Sequence, residues 1–405
     1  MIRRGDSGVP SGLRRVYTEI LGMRRFPPWT FAAAAALLVL AWQSITVAAN
    51  YGGNWSALFC TGELQSHPPA LGSEHTYFFP GSTGYDGQFY HYMAHDPLLR
   101  TEISASVDSP RLRYRRILVP ALAYALALGR TEWIDRAYRF VILLAMAFGV
   151  YCACRYCRES GLAPAWGMLF LLFPALPITV DRMTVDGVVA VFTAAFLLWC
   201  RQPSWKLFLI LCGAALTRET GLLLRAGYCA WLIWRSQVRT AAVFALSAAP
   251  ALAWYAYVAQ RTPPGPYGGS MVPFSGIWRA LLHPWPYPPG TPLVAWVQIA
   301  DFLALIAVLL AFAMTLTQCL RRPAHPARIL AVFFVLMGII VQRTDFWTNV
   351  YGFGRVYAPL LLCLAALAVE TRRAILLAPA ALMLPRIAIQ FVPQFQGIAR
   401  WLVSK

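Results

Sequence analysis

Long apolar runs separated by short polar turns organise most of this chain. The runs at 29–49, 137–155, 163–180, 185–200, 204–217, 220–235, 240–259, 293–319, 328–342, 356–370 and 374–392 carry few charges. Several approach the roughly 20 residues that an α-helix needs to cross a bilayer. None alternates with the two-residue period of a membrane barrel strand. In hydrocarbon every backbone N–H and C=O must be paired inside the protein, so these runs predict helices. The pattern predicts an all-α polytopic integral membrane protein with about eleven transmembrane helices. One further apolar stretch, 114–129, differs. Its uninterrupted core is about 12 residues long, with Pro120 near its start, and runs that short are more often interfacial than spanning. It is expected to lie along the membrane surface.

Basic clusters set the orientation. They are Arg14/Arg15/Arg24/Arg25, Arg155/Arg158, Arg201/Lys206, Arg235/Arg239, Arg321/Arg322/Arg328 and Arg372/Arg373. If all are cytoplasmic, an even number of crossings separates each from the next. With 114–129 kept outside, that parity holds throughout. Four segments follow: a cytoplasmic basic stretch 1–28, a transmembrane module 29–259 containing a first outer loop 50–136, an outer loop 260–292 and C-terminal helices 293–405. The start resembles a signal peptide, but its core is long and lacks a convincing cleavage site, which predicts a retained first helix. The loop 260–292, with Pro263-Pro264-Gly265-Pro266-Tyr267-Gly268-Gly269, reads equally as a mobile lid or a plain linker.

Composition agrees. The chain has 405 residues, 59% hydrophobic and 13% charged, against about 25% charged in soluble domains. Its net charge of +18 would suggest nucleic acid in a soluble protein. Here Lys and Arg flank the spans, and no basic stretch with interleaved aromatics forms a nucleic-acid surface. Cys200, Cys212, Cys229 and Cys363 fall inside apolar runs, where Cys is a small hydrophobe. Cys152, Cys154 and Cys157 fall on the expected reducing side, with no second Cys/His pair to complete a zinc site.

The candidate chemistry lies on the expected outer face. Asp86, in Gly84-Tyr85-Asp86-Gly87-Gln88-Phe89-Tyr90, opens a short amphipathic helix with Gln88, His91 and His95 on one face. Asp86 is read either as a helix cap or as a carboxylate at the membrane boundary, acting as general base or metal ligand. His91 and His95 have the spacing of a metal pair but lack an evident third ligand, since the adjacent Asp96 points elsewhere on a helix. Arg111, Arg113, Arg115 and Arg116 are poor topology signals on this side. They suit phosphate oxygens or lipid headgroups. Asp181, Arg182 and Asp186 lie between two spans, and Arg218 and Glu219 between two others, either as ion pairs and caps or as part of a site. Gln342-Arg343-Thr344-Asp345 through Gly354-Arg355 is a last outer turn with both charge signs. Outward carboxylates beside outward arginines suit transfer from a lipid-linked phosphate donor, the arginines neutralising the leaving phosphate and a carboxylate taking the acceptor's proton.

This order of features resembles the GT-C superfamily of membrane glycosyltransferases over roughly residues 29–235. Tyr85-Asp86-Gly87-x-x-Tyr90 is similar to the Trp-Asp-x-x-x-Tyr pattern of GPI-type mannosyltransferases, and 114–128 resembles the family's juxtamembrane helix. Tyr-Asp-Gly-Gln-Phe-Tyr and Leu-Thr-Arg-Glu-Thr, here 216–220, also resemble motifs of uncharacterised bacterial membrane proteins. Relatives often have paired acids in the first loop, whereas here Asp86 stands beside Gly87. The resemblance implies a GT-C-like bundle and an inverting transfer from a polyprenyl-phosphate sugar to a glycan, lipid or protein acceptor. It implies a bacterial inner membrane, with the site on the extracytoplasmic side. In that reading Asp86 and Asp186 are catalytic, and Arg113, Arg115, Arg116 and Arg218 hold the donor phosphate. Tyr85, Gln88, Tyr90, His91, Asp181, Arg182 and Glu219 support the site, and a divalent metal would sit at Asp86 and Asp186. The rival readings are a transporter of lipid-linked glycan, which would place its ionisable groups nearer mid-bilayer, and a non-catalytic assembly subunit.

Overall fold

The computed structural model describes residues 26–265, 272–283, 285–287, 293–319, 325–342, 344–347 and 350–404. Arg14, Arg15, Arg24, Arg25, Pro266, Tyr267, Gly268, Gly269, Arg321, Arg322, Arg343 and the side chain of Asp345 lie outside the described residues.

The described chain is built of helices. After α1 (Pro28–Asn50), a loop carries a two-residue parallel pair, β1 (Thr61–Gly62) and β2 (Phe78–Phe79), in which Thr61 faces Phe78. Then come α2 (Asp86–His95), α3 (Pro110–Arg113), α4 (Leu118–Leu126) and α5 (Thr131–Glu159). A 3-10 stretch, Pro164–Leu172, leads into α6 (Ala175–Arg182), followed by α7 (Asp186–Trp199), α8 (Trp205–Thr217), α9 (Gly221–Trp234), α10 (Val238–Ala245) and α11 (Ala249–Arg261). The C-terminal part comprises α12 (Ser275–Leu282), α13 (Val294–Cys319), α14 (Pro326–Ile340), α15 (Thr344–Trp347), α16 (Phe353–Val356), α17 (Ala358–Thr371), α18 (Ala378–Gln390) and α19 (Val392–Val403).

Local chemistry places the ends of these helices. Pro28, Pro110 and Pro326 occupy first turns, where the missing N–H costs nothing. The Ser204 hydroxyl accepts from Leu207 N and caps α8. Pro174 cannot donate to the preceding turn and keeps Phe173 extended. The expected span 163–180 is therefore a 3-10 stretch and a helix bent by 63°.

Four helical stretches are long and apolar enough to cross a membrane: Pro28–Asn50, Thr131–Glu159, Val238–Arg261 and Val294–Cys319. The count is six if each bent pair, Pro164–Leu172 with Ala175–Arg182 and Ala374–Gln390 with Val392–Val403, forms one span. The remaining apolar helices, α7, α8, α9, α14 and α17, have 13 to 15 residues. They rise about 20–23 Å, short of a hydrocarbon core of about 30 Å. Length thus supports fewer crossings than the eleven expected. Leu37, Leu38 and Ile45 on α1 and Ile299 and Phe302 on α13 project outward, as on a surface that meets lipid. The chain is a helical, membrane-embedded protein.

α5 is central to the N-terminal half, packed by α1, α4, α7 and the 164–172 stretch. α7 contacts α17, joining this half to the C-terminal group of α9, α13, α14, α17 and α18, and α19 returns to pack on α1. α4 has only nine residues and cannot cross, as expected for 114–129. With α2 it packs against α5, and it also touches α8. α2 starts against the C-terminal end of α6, where Gly87 meets Arg182 O, and Arg116, just before α4, reaches Glu219 just past the end of α8.

Candidate functional site

Two glycines fit the Asp86 segment into this corner. Gly84 has φ +75°, and a Cβ there would fall 2.5 Å from Gly62 N. A Cβ on Gly87 would fall 2.2 Å from Arg182 O, so only glycine lets α2 start against the end of α6. Asp86 is the first residue of α2, one past the N-cap position held by Tyr85. The carboxylate meets two guanidiniums: Arg113 Nη2 lies 3.0 Å from Oδ1, and Arg355 Nη1 lies 2.6 Å from Oδ2. Burial alone would raise the Asp86 pKa, but Arg113 and Arg355 outweigh it and hold the group far below the ordinary carboxylate range.

Asp186 opens α7. The turn before it is fixed by Met183 in a left-handed conformation, by Tyr138 donating to Met183 O, and by Thr179 Oγ1 accepting from Gly187 N at 2.8 Å. The Asp186 carboxylate contacts Arg218 and lies 3.3 Å from Arg355 Nη1. One Arg355 nitrogen therefore stands between Asp86 and Asp186. Arg113 also forms a two-pronged pair with Asp108, at 2.9 and 2.8 Å. Arg116 donates to Glu219 at 3.2 Å and to Tyr90 Oη at 3.0 Å. Four arginines (113, 116, 218, 355) face four carboxylates (86, 108, 186, 219). The Nε–H groups of Arg218 and Arg355 have no acceptor among the described residues. Buried donors without acceptors are uncommon, and these two could receive an anion.

Several expected residues fall elsewhere. Arg115 sits over the Tyr255 ring, 5.5 Å from its centroid, and among the described residues pairs with neither Asp86 nor Asp186. Arg111 donates to Ala259 O at 2.8 Å and closes the end of α11. Gln88 clamps the loop backbone, accepting from Gly62 N and donating to Thr83 O. Asp181 meets Gln394 of α19 and Arg182, and Arg182 lies over the rings of Tyr85 and Tyr351. Tyr85 packs beneath Arg355 as well, and its hydroxyl reaches Tyr351 O. His91 turns away from Asp86 towards His95, Glu74 and Asp135. Asp96 accepts from Arg100 N and Thr101 N and closes its own loop.

A metal between Asp86 and Asp186 does not fit these residues, because the Arg355 guanidinium occupies the space between the two carboxylates. Arg355, which the sequence offered without a role, reaches both carboxylates. Its signal was the mixed-charge turn ending at Gly354-Arg355. Asp301 and Arg386 were missed: they pair at 2.8 Å between α13 and α18, with the Tyr287 hydroxyl on Asp301. Single charges inside long apolar runs carry no signal that they will meet.

Comparison with family models, with curated proteins and with solved structures finds no match to this chain.

Proposed function

We propose that the chain is an inverting glycosyltransferase of the GT-C type that takes a sugar from a polyprenyl-phosphate-linked donor on the extracytoplasmic face. The observation that carries this reading is the convergence of Asp86, Asp186, Arg113, Arg116, Arg218 and Arg355 from distant segments at one corner of an apolar, charge-poor chain. In this reading the five shorter apolar helices also cross, which restores the eleven crossings.

The donor phosphate enters among the arginines. As Arg113 and Arg355 turn to its oxygens, Asp86 loses its two counter-charges and its pKa rises towards the ordinary value. The acceptor hydroxyl oxygen attacks the anomeric carbon, and its proton passes to a carboxylate, Asp86 being the one relieved. The bond to phosphate breaks with its electron pair on the leaving oxygen, where the guanidiniums stabilise it. Donor binding and base activation are thereby linked. Asp186, held by Arg218, keeps Arg355 in reach of both partners.

Supplying purified protein with radiolabelled polyprenyl-phosphate sugar and a mixture of candidate acceptors tests the reading. Release of free polyprenyl phosphate is expected, with loss in Asp86→Ala and Asp86→Asn that persists well below each variant's own melting temperature, where both are folded. Full turnover in both variants would overturn the role of Asp86.

Translocation of a lipid-linked glycan is the second reading, favoured by the Asp301–Arg386 pair inside candidate spanning helices. Movement of labelled donor across liposomes without cleavage would select it.

A further inference from the structure

Away from the arginine corner, three potential metal ligands come together on the outer loop. Glu74 follows a 3-10 turn at Pro69–Leu71, and His91 and His95 lie one turn apart on α2. His91 Nε2 and His95 Nε2 are 3.2 Å apart, His95 Nε2 is 3.4 Å from Glu74 Oε1, and His91 Nε2 is 3.6 Å from Glu74 Oε2. A tetrahedral zinc ion with ligand bonds near 2.0–2.1 Å sets its ligand atoms about 3.3 Å apart. The distance between the two imidazole nitrogens matches that edge length, and one ligand atom from each of the three residues lies within 4.8 Å of the others.

The charges point the same way. Glu74 pairs with no Lys or Arg among the described residues, only with the two imidazoles. Asp135, in the first turns of α5, brings a second carboxylate oxygen 2.7 Å from His91 Nε2. One ring nitrogen thus faces two carboxylates and a second imidazole, which a single proton cannot satisfy. A divalent cation can. Phe59 stacks on His91 with ring centroids 4.3 Å apart and fixes the ring plane by packing. Nε2 is the nitrogen that faces Glu74 on both rings and is therefore the coordinating atom. The imidazoles are almost fully buried, while the Glu74 and Asp135 side chains are 19% and 33% exposed, which leaves a path for the ion.

We infer that Glu74, His91 and His95 bind a divalent transition-metal ion, zinc by ligand preference, with Asp135 beside the fourth position. The ion would tie the 69–76 segment and the start of α5 to α2. His91 lies five residues from Asp86 on that helix, about 7.5 Å along its axis. The role is structural: the metal braces the helix that presents Asp86. The inference holds independently of any transfer activity.

The test uses full-length protein purified in detergent through a tag without histidine, in buffers free of chelator. Elemental analysis is expected to find one transition-metal ion per chain, with zinc predominant, in the wild type and in Asp86→Asn. After stripping with EDTA, a zinc chloride titration is expected to restore one site and raise the melting temperature. Glu74→Gln should weaken zinc binding at least about tenfold, and His91→Asn/His95→Asn should abolish it. If that double variant fails to fold, the partly exposed Glu74→Gln decides. Three results would each overturn the inference: wild type that neither carries nor binds zinc, binding unchanged in Glu74→Gln, or metal lost in Asp86→Asn.

Discussion

Arg355 Nη1 lies 2.6 Å from Asp86 Oδ2, joining the first loop to a turn near the end of the chain. Asp186 shares the same nitrogen. Removing Arg355 leaves two buried carboxylates facing each other with only the outer guanidiniums to screen them. Arg355→Ala is expected to lower transfer by about 10²-fold and to reduce the melting temperature in detergent, with Arg355→Lys recovering part of both. Wild-type turnover in Arg355→Ala would remove it from the site.

The depressed Asp86 pKa has a signed consequence. A carboxyl group whose folded pKa lies below its unfolded value stabilises the fold fully above the unfolded pKa, near 3.9. That contribution shrinks as the pH falls towards the folded pKa. The melting-temperature gap between wild type and Asp86→Asn should stay constant from about pH 8 to pH 5 and narrow below about pH 4. A gap that changes between pH 8 and pH 5 would contradict the ion-paired geometry.

Gly87 is a steric prediction independent of function. In Gly87→Ala the new Cβ would fall 2.2 Å from Arg182 O, a backbone atom that cannot rotate away. α2 must shift, and with it Asp86. Lower thermal stability and loss of any Asp86-dependent activity are expected, measured by detergent melting curves and the donor assay.

Asp301 and Arg386 offer a second energetic test. Removing one partner of a buried pair costs about 3–5 kcal/mol, whereas replacing both by apolar groups of similar size is often neutral. Asp301→Leu should therefore destabilise strongly, and Asp301→Leu/Arg386→Met should recover most of the loss in unfolding measurements. Equal loss in the double variant would point to a role beyond the pair.

Much of the scaffold was legible because membrane helices announce themselves by apolar runs. The first helix and the run beginning near residue 293 fell within a residue or two of Pro28–Asn50 and Val294–Cys319. The short helix from Asp86 and the non-spanning 114–129 were also readable, from spacing and length. The bend at Pro174 is legible in principle, since proline limits the residue before it, but the unbroken hydropathy of 163–180 hides it. Pairings were another matter. Asp86 and Asp186 stood out by type, but nothing local says that Arg355 reaches both, or that Glu74 comes to His91 and His95. Those depend on tertiary approach across long stretches of chain. Arg111 and Arg115 lie beside Arg113 in sequence, but Arg111 is two residues from it on α3 and so on another side of the helix, while Arg115 comes after the helix end, and each meets a different neighbour.

The return of α19 to α1 bears on how the protein is made. Trp42 packs against Phe391 and Phe395, Asn50 donates to Gln394 O, and the Gln394 side chain donates to Asp181 beside Arg182. The contact between Asn50 and Gln394 spans 344 residues of chain, so α1 waits in the bilayer with part of its surface unmatched until α19 has been made. A chain that stops short of α19 leaves the ring face of Trp42 and the Asp181 carboxylate without these partners.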